Sequence, residues 1–236
     1  TPEGERILAW ARAVLAAHDG LAAEAAICRG QMVGQLRVGM VPLASLNPMQ
    51  LIKPLAEKYP ALQFSLLSMT SEQIIDGVSR NQLDLGICYL QHLDERLFKI
   101  ARLPQTRMGL LHDKRHFDFS AGTPGWDTLA ALPLGFLTKG MYYRESIEIS
   151  FKAKGLTPTS VFESDSTFQI IQAVQAGICC AIMPLNNGLE ALSDNLEILP
   201  IAETQVDSQL ALIMRQQEPV SSLAEKCFAE AQGIFG

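Results

Sequence analysis

Along the first stretch of the chain, to about residue 29, apolar or small positions recur at alternating steps of four and three. They are Ile7, Ala11, Val14, His18, Leu21, Ala25 and Cys28. That spacing predicts one long helix with a heptad seam. Leu8, Leu15 and Ala22 add a flanking row every seven residues. Thr1 suits the N-cap and Pro2 the first helical position. Gly20 weakens such a helix by about 1 kcal/mol relative to alanine. An alanine-rich helix of this length is marginal alone, so it is expected to pack on a partner helix. The rival reading docks it on its own domain. His18 is read as a packing residue, not a ligand.

Past Gly30 the pattern changes to strands alternating with helices. Leu36, Val38 and Met40 alternate with Arg37, Gly39 and Val41 between Gly34 and Pro42, which predicts a buried strand running into a helix start. Ser45 and Asn47, with Pro48 behind them, read as the N-cap of a helix that ends at Tyr59. Leu51, Leu55 and Tyr59 form its stripe, and Pro54 is expected to kink or restart it. Further strands are predicted over 62–67, 83–89, 97–100 and 108–111. Thr70 and Gln73 make a capping box for a helix with Ile74, Ile75 and Val78 on its apolar face and Asn81 as its stop.

A polar connection over 112–132 carries Gly122, Pro124, Gly125 and a short helical turn at Trp126–Ala130. The pattern then repeats. A strand over 133–137 precedes a helix over 141–154 closed by Gly155. A strand over 160–163 precedes a helix capped by Asp165 or Ser166 and closed by Gly177. A buried strand over 178–183, strands over 196–201 and 209–214 and an amphipathic helix over 219–235 complete the chain. The Ser71-started helix feeding Gly86-Ile87-Cys88 is echoed by the Ser166-started helix feeding Gly177-Ile178-Cys179. The echo suggests two similar lobes whose helix N-termini face a shared cleft.

The 236 residues suit one large or two small domains, and 48% hydrophobic content allows a real core. The net charge of -6 argues against this segment gripping nucleic acid itself, because phosphate binding needs clustered Lys and Arg. No apolar run approaches the roughly 18 residues of a membrane span. The polar, acidic opening Thr1-Pro2-Glu3-Gly4-Glu5-Arg6 is unlike a signal peptide, and without an initiator Met the chain is expected to be a piece of a longer one. The five cysteines, Cys28, Cys88, Cys179, Cys180 and Cys227, fit no metal spacing. They read as reduced thiols of a cytosolic protein, with a thiol redox sensor as the rival. No nucleophile–base pair marks an enzyme. His92, His112 and His116 fall in polar stretches, and Asp113, Lys114 and Arg115 around the last two suggest a solvated turn rather than a metal site.

Taken in order, Leu36-Arg37-Val38-Gly39, Tyr59-Pro60, Leu83-Asp84-Leu85-Gly86-Ile87, Glu163-Ser164-Asp165-Ser166, Ala176-Gly177-Ile178 and Met183-Pro184 resemble the effector-binding part of LysR-type transcriptional regulators. Thr1-Pro2-Glu3-Gly4 resembles the junction after that family's winged helix-turn-helix, and the long first helix resembles its linker helix, which pairs two subunits. The resemblance implies an α/β, two-lobed fold like the type 2 periplasmic binding proteins, with an N-terminal linker helix. It places a linker and dimerisation helix at 1–30, one lobe at 34–105 and 208–236, and the other at 106–207.

It also implies a homodimer or homotetramer in the cytoplasm that acts on promoter DNA through a domain missing from this segment, with no membrane partner. A small effector would sit between the lobes. The family's pocket positions fall on Leu43, Ala44, Ser45 and Asn47, on Thr70 and Ser71, and on Tyr89 in the first lobe. In the second they fall on Thr138, Lys139, Met141, Tyr142 and Ser166. Hydroxyls, backbone N–H groups and one cation, Lys139, suit a small carboxylate or similar anion. The resemblance implies no cofactor, no metal and no catalysis. A transporter's solute-binding protein of the same fold is the alternative, which the heptad helix opposes.

Overall fold

Thr1 opens helix α1 (Pro2–Cys28), its hydroxyl accepting from the Gly4 N–H at 3.1 Å with Pro2 in the first turn. This is a computed structural model, and it describes residues 1–42, 46–90, 93–104, 107–119, 122–185, 192–202 and 209–235, without the side chains of residues 9, 12, 13 and 235. The chain divides into two compact units. The first comprises Thr1–Val41, Pro48–Pro104 and Gln209–Gly236, and the second Pro42–Asn47 and Gln105–Ser208.

The first unit is built on strands β1 (Gly34–Met40), β2 (Leu62–Ser68), β3 (Leu85–Tyr89), β4 (Phe98–Arg102) and, from the far end of the chain, β10 (Leu210–Arg215). Their order is β2-β1-β3-β10-β4. β1 runs parallel to β2 and β3, while β10 is antiparallel to β3 and β4. Helices α3 (Ser71–Ser79) and α7 (Ser222–Phe235) pack on this sheet, and α2 (Met49–Lys58) packs against α7. Leu36, Val38, Ile74, Val78, Leu85, Ile87 and Leu212 are buried. α3 lies close because Gly39 and Gly86 are register partners on adjacent strands. A Cβ on Gly86 would stand 2.5 Å from a methyl carbon of Ile74.

The second unit repeats the scheme with β5 (Met108–Asp113), β6 (Pro133–Leu137), β7 (Thr159–Ser164), β8 (Cys180–Pro184) and β9 (Leu196–Pro200), ordered β7-β6-β8-β5-β9. Here β6 is parallel to β7 and β8, and β5 is antiparallel to β8 and β9. Alternate residues feed opposite faces. Met108, Leu110, Leu134, Phe136, Cys180 and Ile182 join Trp126, Leu129, Ile147 and Phe151 of α4 (Trp126–Ala131) and α5 (Tyr142–Ala153). Leu111, Leu137, Cys179, Ala181 and Met183 join Ile170, Ala173 and Val174 of α6 (Thr167–Gln175). A sheet covered on both faces needs strands that are apolar throughout, which explains the buried run over 179–183. Ile178, expected to start the strand, is exposed just ahead of it.

Three local expectations are corrected. α2 starts at Met49 with Pro48 at its N-cap and no side-chain cap bond, so Asn47 does not cap it. The Pro48 carbonyl instead accepts from the N–H groups of Leu51 and Ile52. Ser45 lies outside the described residues. α2 also runs unbroken through Pro54. The N–H that proline lacks would have bonded the Gln50 carbonyl, so the ten-residue helix gives up one ladder bond and keeps the rest. Finally, His112 is no loop residue. It lies on β5, 2% exposed, opposite Glu197 of β9. His116 is exposed in the turn that follows, and His92 lies outside the described residues.

Candidate functional site

Strand polarity decides where polar chemistry gathers. In the first unit the parallel strands β1, β2 and β3 end together. The Met69 N–H donates to the Met40 carbonyl and the Val41 N–H to the Ile87 carbonyl, both at 3.0 Å. α3 begins at that edge. The Thr70 hydroxyl accepts from the Gln73 N–H (3.3 Å), and the Thr70 N–H donates to the Gln73 side-chain oxygen (3.0 Å), closing the predicted capping box. The Ser71 hydroxyl accepts from the Tyr89 N–H at 3.4 Å. That bond leaves the Ser71 hydrogen available as a donor. Two first-turn N–H groups, at Ser71 and Glu72, have no intrahelical acceptor by the geometry of the α-helix, and the helix N-terminus carries about half a positive charge. Thr70, Ser71 and Tyr89 are thus brought together, with the Tyr89 ring buried.

The second unit has a matching edge. The Thr138 N–H, just past β6, donates to the Ser164 carbonyl at 3.1 Å. The Ser166 hydroxyl caps α6 by accepting from the Gln169 N–H (3.4 Å). The Ser164 hydroxyl accepts from the Ser166 N–H (3.0 Å) and donates to the Gln169 side-chain oxygen (2.6 Å). Thr138 and Ser166 therefore share one strand end. Met141 is the N-cap of α5 and Tyr142 its first residue, both half-buried. Lys139 is exposed on the short loop before them. Asn47 is half-buried ahead of α2, and Leu43 and Ala44, like Ser45, lie outside the described residues.

Two side chains at the second edge escaped the sequence reading. Ser164 is buried and ties the β7 end to the α6 cap. Its signal was its place two residues before the cap, in a run read only for Ser166. Arg144 is a buried cation. Its guanidinium lies 3.9 Å over the Phe136 ring, donates to Glu148 at 2.7 Å, and reaches the Leu137 carbonyl at 3.5 Å. The i, i+4 spacing of Arg144 and Glu148 was visible, but its inward direction was not.

The four buried thiols are poor nucleophiles. Burial pushes Cys88, Cys180 and Cys227 up to about 12 and Cys179 to about 11. Cys28 is exposed on α1. Among the described residues, no group of three or more His, Cys, Asp or Glu side chains could hold a metal, and no helix is long and apolar enough to cross a membrane.

A family model for the LysR substrate binding domain matches residues 29–234. The HTH-type transcriptional regulator EstR of Acinetobacter baylyi is 24% identical over 226 residues, 94% of this chain and 74% of that protein. Among solved structures, full-length CbnR complexed with its target DNA superposes with a TM-score of 0.75 at 19% identity, over 98% of this chain and 81% of that one. The effector-binding domain of QuiR in complex with shikimate gives 0.69 at 16% identity, over 86% and 97%.

Proposed function

The chain belongs to the LysR substrate binding domain family, and from that premise we propose that it senses a small carboxylate and passes the signal to promoter DNA. It is the effector-binding region of a LysR-type transcriptional regulator, and its fold is the mixed α/β, periplasmic-binding-protein-like one of that family. The observation that carries the ligand class is the pair of capped helix starts at the carboxyl ends of the two sheets. Donors are Ser71 and Thr70 with the α3 N–H groups in one unit, and Thr138 and Ser166 with the α6 N–H groups in the other. Helix N-termini lined with hydroxyls favour a negative oxygen ligand. Tyr89, Met141 and Tyr142 supply apolar wall, Lys139 an exposed cation, and Asn47 an amide. Leu43, Ala44 and Ser45 complete the set by resemblance. Shikimate, the ligand of the QuiR domain, is itself a small carboxylate and makes a natural probe.

DNA contact belongs to a domain outside these residues, in keeping with the net charge of -6. The regulator works in the cytoplasm, where promoter DNA lies, and catalyses no reaction. Self-association runs through α1. Ile7, Val14 and Leu21 on its heptad seam are 69%, 65% and 71% exposed, an apolar row that a second copy would cover. Whether two or four copies assemble, the first pairing is a homodimer.

Calorimetric titration of the chain with small carboxylates and their uncharged amides tests the ligand class. A carboxylate should bind saturably, its amide far more weakly. The Ser71→Ala variant should lose roughly tenfold in affinity, the equivalent of one charge-assisted hydrogen bond. Equal binding of acid and amide would overturn the reading.

A further inference from the structure

We propose that the groove beneath α1 is a second binding site, which takes a small organic ammonium ion and is separate from the carboxylate site proposed above. α1 rests on the first unit through small side chains, with Ala16 and Ala26 buried. Its polar anchor is Glu24, whose carboxylate accepts from the Ser222 N–H (3.2 Å) and hydroxyl (2.7 Å) at the start of α7. Small side chains do not fill the space down to the sheet. A cavity of about 510 Å³ remains, walled by Asp19 and Ala23 of α1, Gln35 of β1, Gln63 of β2, Asp84 and Leu223. A second hollow of about 280 Å³ adjoins it, and Asp19 and Arg37 border both. Small-molecule sites commonly occupy about 300–1,000 Å³.

Charge selects the occupant. Asp84 is buried and takes both the Nε and Nη2 hydrogens of Arg37, each at 3.0 Å, along with the Arg37 backbone N–H at 2.7 Å. The two charges cancel, although Arg37 also feels Asp19. Among the described residues Asp19 pairs with the His18 ring, at 3.5 Å, a pair that is charged only when that ring is protonated. The groove is therefore left with a net negative charge on Asp19. Beside it lie the neutral amides of Gln35 and Gln63 and an apolar wall of Ala22, Ala23, Val33 and Leu223. Asp19 stands at the mouth of the groove with its side chain 74% exposed, so an anion would be repelled there and a neutral guest would gain nothing from its charge. A cation with a compact apolar body matches the charge and the wall together. Such a guest touches α1 and the sheet at once, so it would fasten the helix to its unit.

The test is calorimetric titration of the chain with benzylammonium, alongside neutral benzyl alcohol and anionic benzoate. Asp19→Asn removes the charge, and Ala22→Phe fills the groove. Both positions are exposed, so both variants should fold, as circular dichroism would verify. Benzylammonium should bind saturably, weaken about tenfold or more in Asp19→Asn, and vanish in Ala22→Phe, with benzoate failing to displace it. The proposal is overturned if benzyl alcohol binds as well, if Asp19→Asn changes nothing, if benzoate competes, or if benzylammonium shows no heat at millimolar concentration.

Discussion

Asp84, 6% exposed, is held by three hydrogen bonds from one residue, and Arg37 is held in turn. Converting Asp84 to Asn keeps the shape but leaves a largely buried guanidinium without its counter-charge. Urea denaturation should show a loss of about 2 kcal/mol. His112 poses the opposite problem. Burial is the first cause that lowers its pKa from the ordinary 6.5, opposed by Glu197 across the strand, by the Phe117 backbone and by Asp113, while Lys114 works with burial. The neutral ring is the form the fold accepts. Unfolded chains therefore take up the proton first, and the stability present above about pH 6.5 declines as pH falls below it. Replacing His112 with Leu should flatten the drop in the urea midpoint between about pH 7 and 5. An unchanged slope would remove His112 from that role. Neither residue's burial could be read from its neighbours in sequence. Asp113, Lys114 and Arg115 look like a solvated turn, yet Asp113 is fully buried because Arg115 folds back on it with bonds of 2.9 and 2.7 Å.

Among elements, helix starts were the most legible feature. Thr1, Thr70 and Ser166 each cap the helix expected of them, because a side-chain cap is a local bond between residues three apart. The α2 start was not legible. Ser45-Leu46-Asn47-Pro48 offers several cap candidates, and the one used makes no side-chain bond. Strand order was hidden from the periodicity, since β10 pairs with β3 and β4 from the far end of the chain. Only the resemblance assigned residues 208–236 to the first lobe. The glycines on β1 and β3 mark where α3 presses on the sheet. Gly86→Ala would push a methyl against Ile74 and Ile213, at 2.5 and 2.9 Å. A loss of about 1–3 kcal/mol is expected in the same denaturation assay. No loss would mean that α3 has room to shift.

For the whole molecule, the heptad seam could be read from spacing alone, and in the structure it stays exposed in the single chain. The same helix docks on its own unit through Ala16 and Ala26, as the rival reading has it, and the exposed seam on another face is the surface the proposed homodimer would use. Val14→Glu with Leu21→Glu places like charges along the seam. Sedimentation should show self-association weakened by at least about tenfold, with the far-ultraviolet dichroism of the fold retained. The hydroxyl positions proposed for the site come from the resemblance, whereas Ser164 and Arg144 emerge only in the fold. The most direct test of the central claim is amide hydrogen exchange read by mass spectrometry, with and without a saturating small carboxylate such as shikimate. Exchange should slow at both helix starts, around residues 70–73 and 164–168. Protection confined to other segments, or none at either helix start, would contradict it.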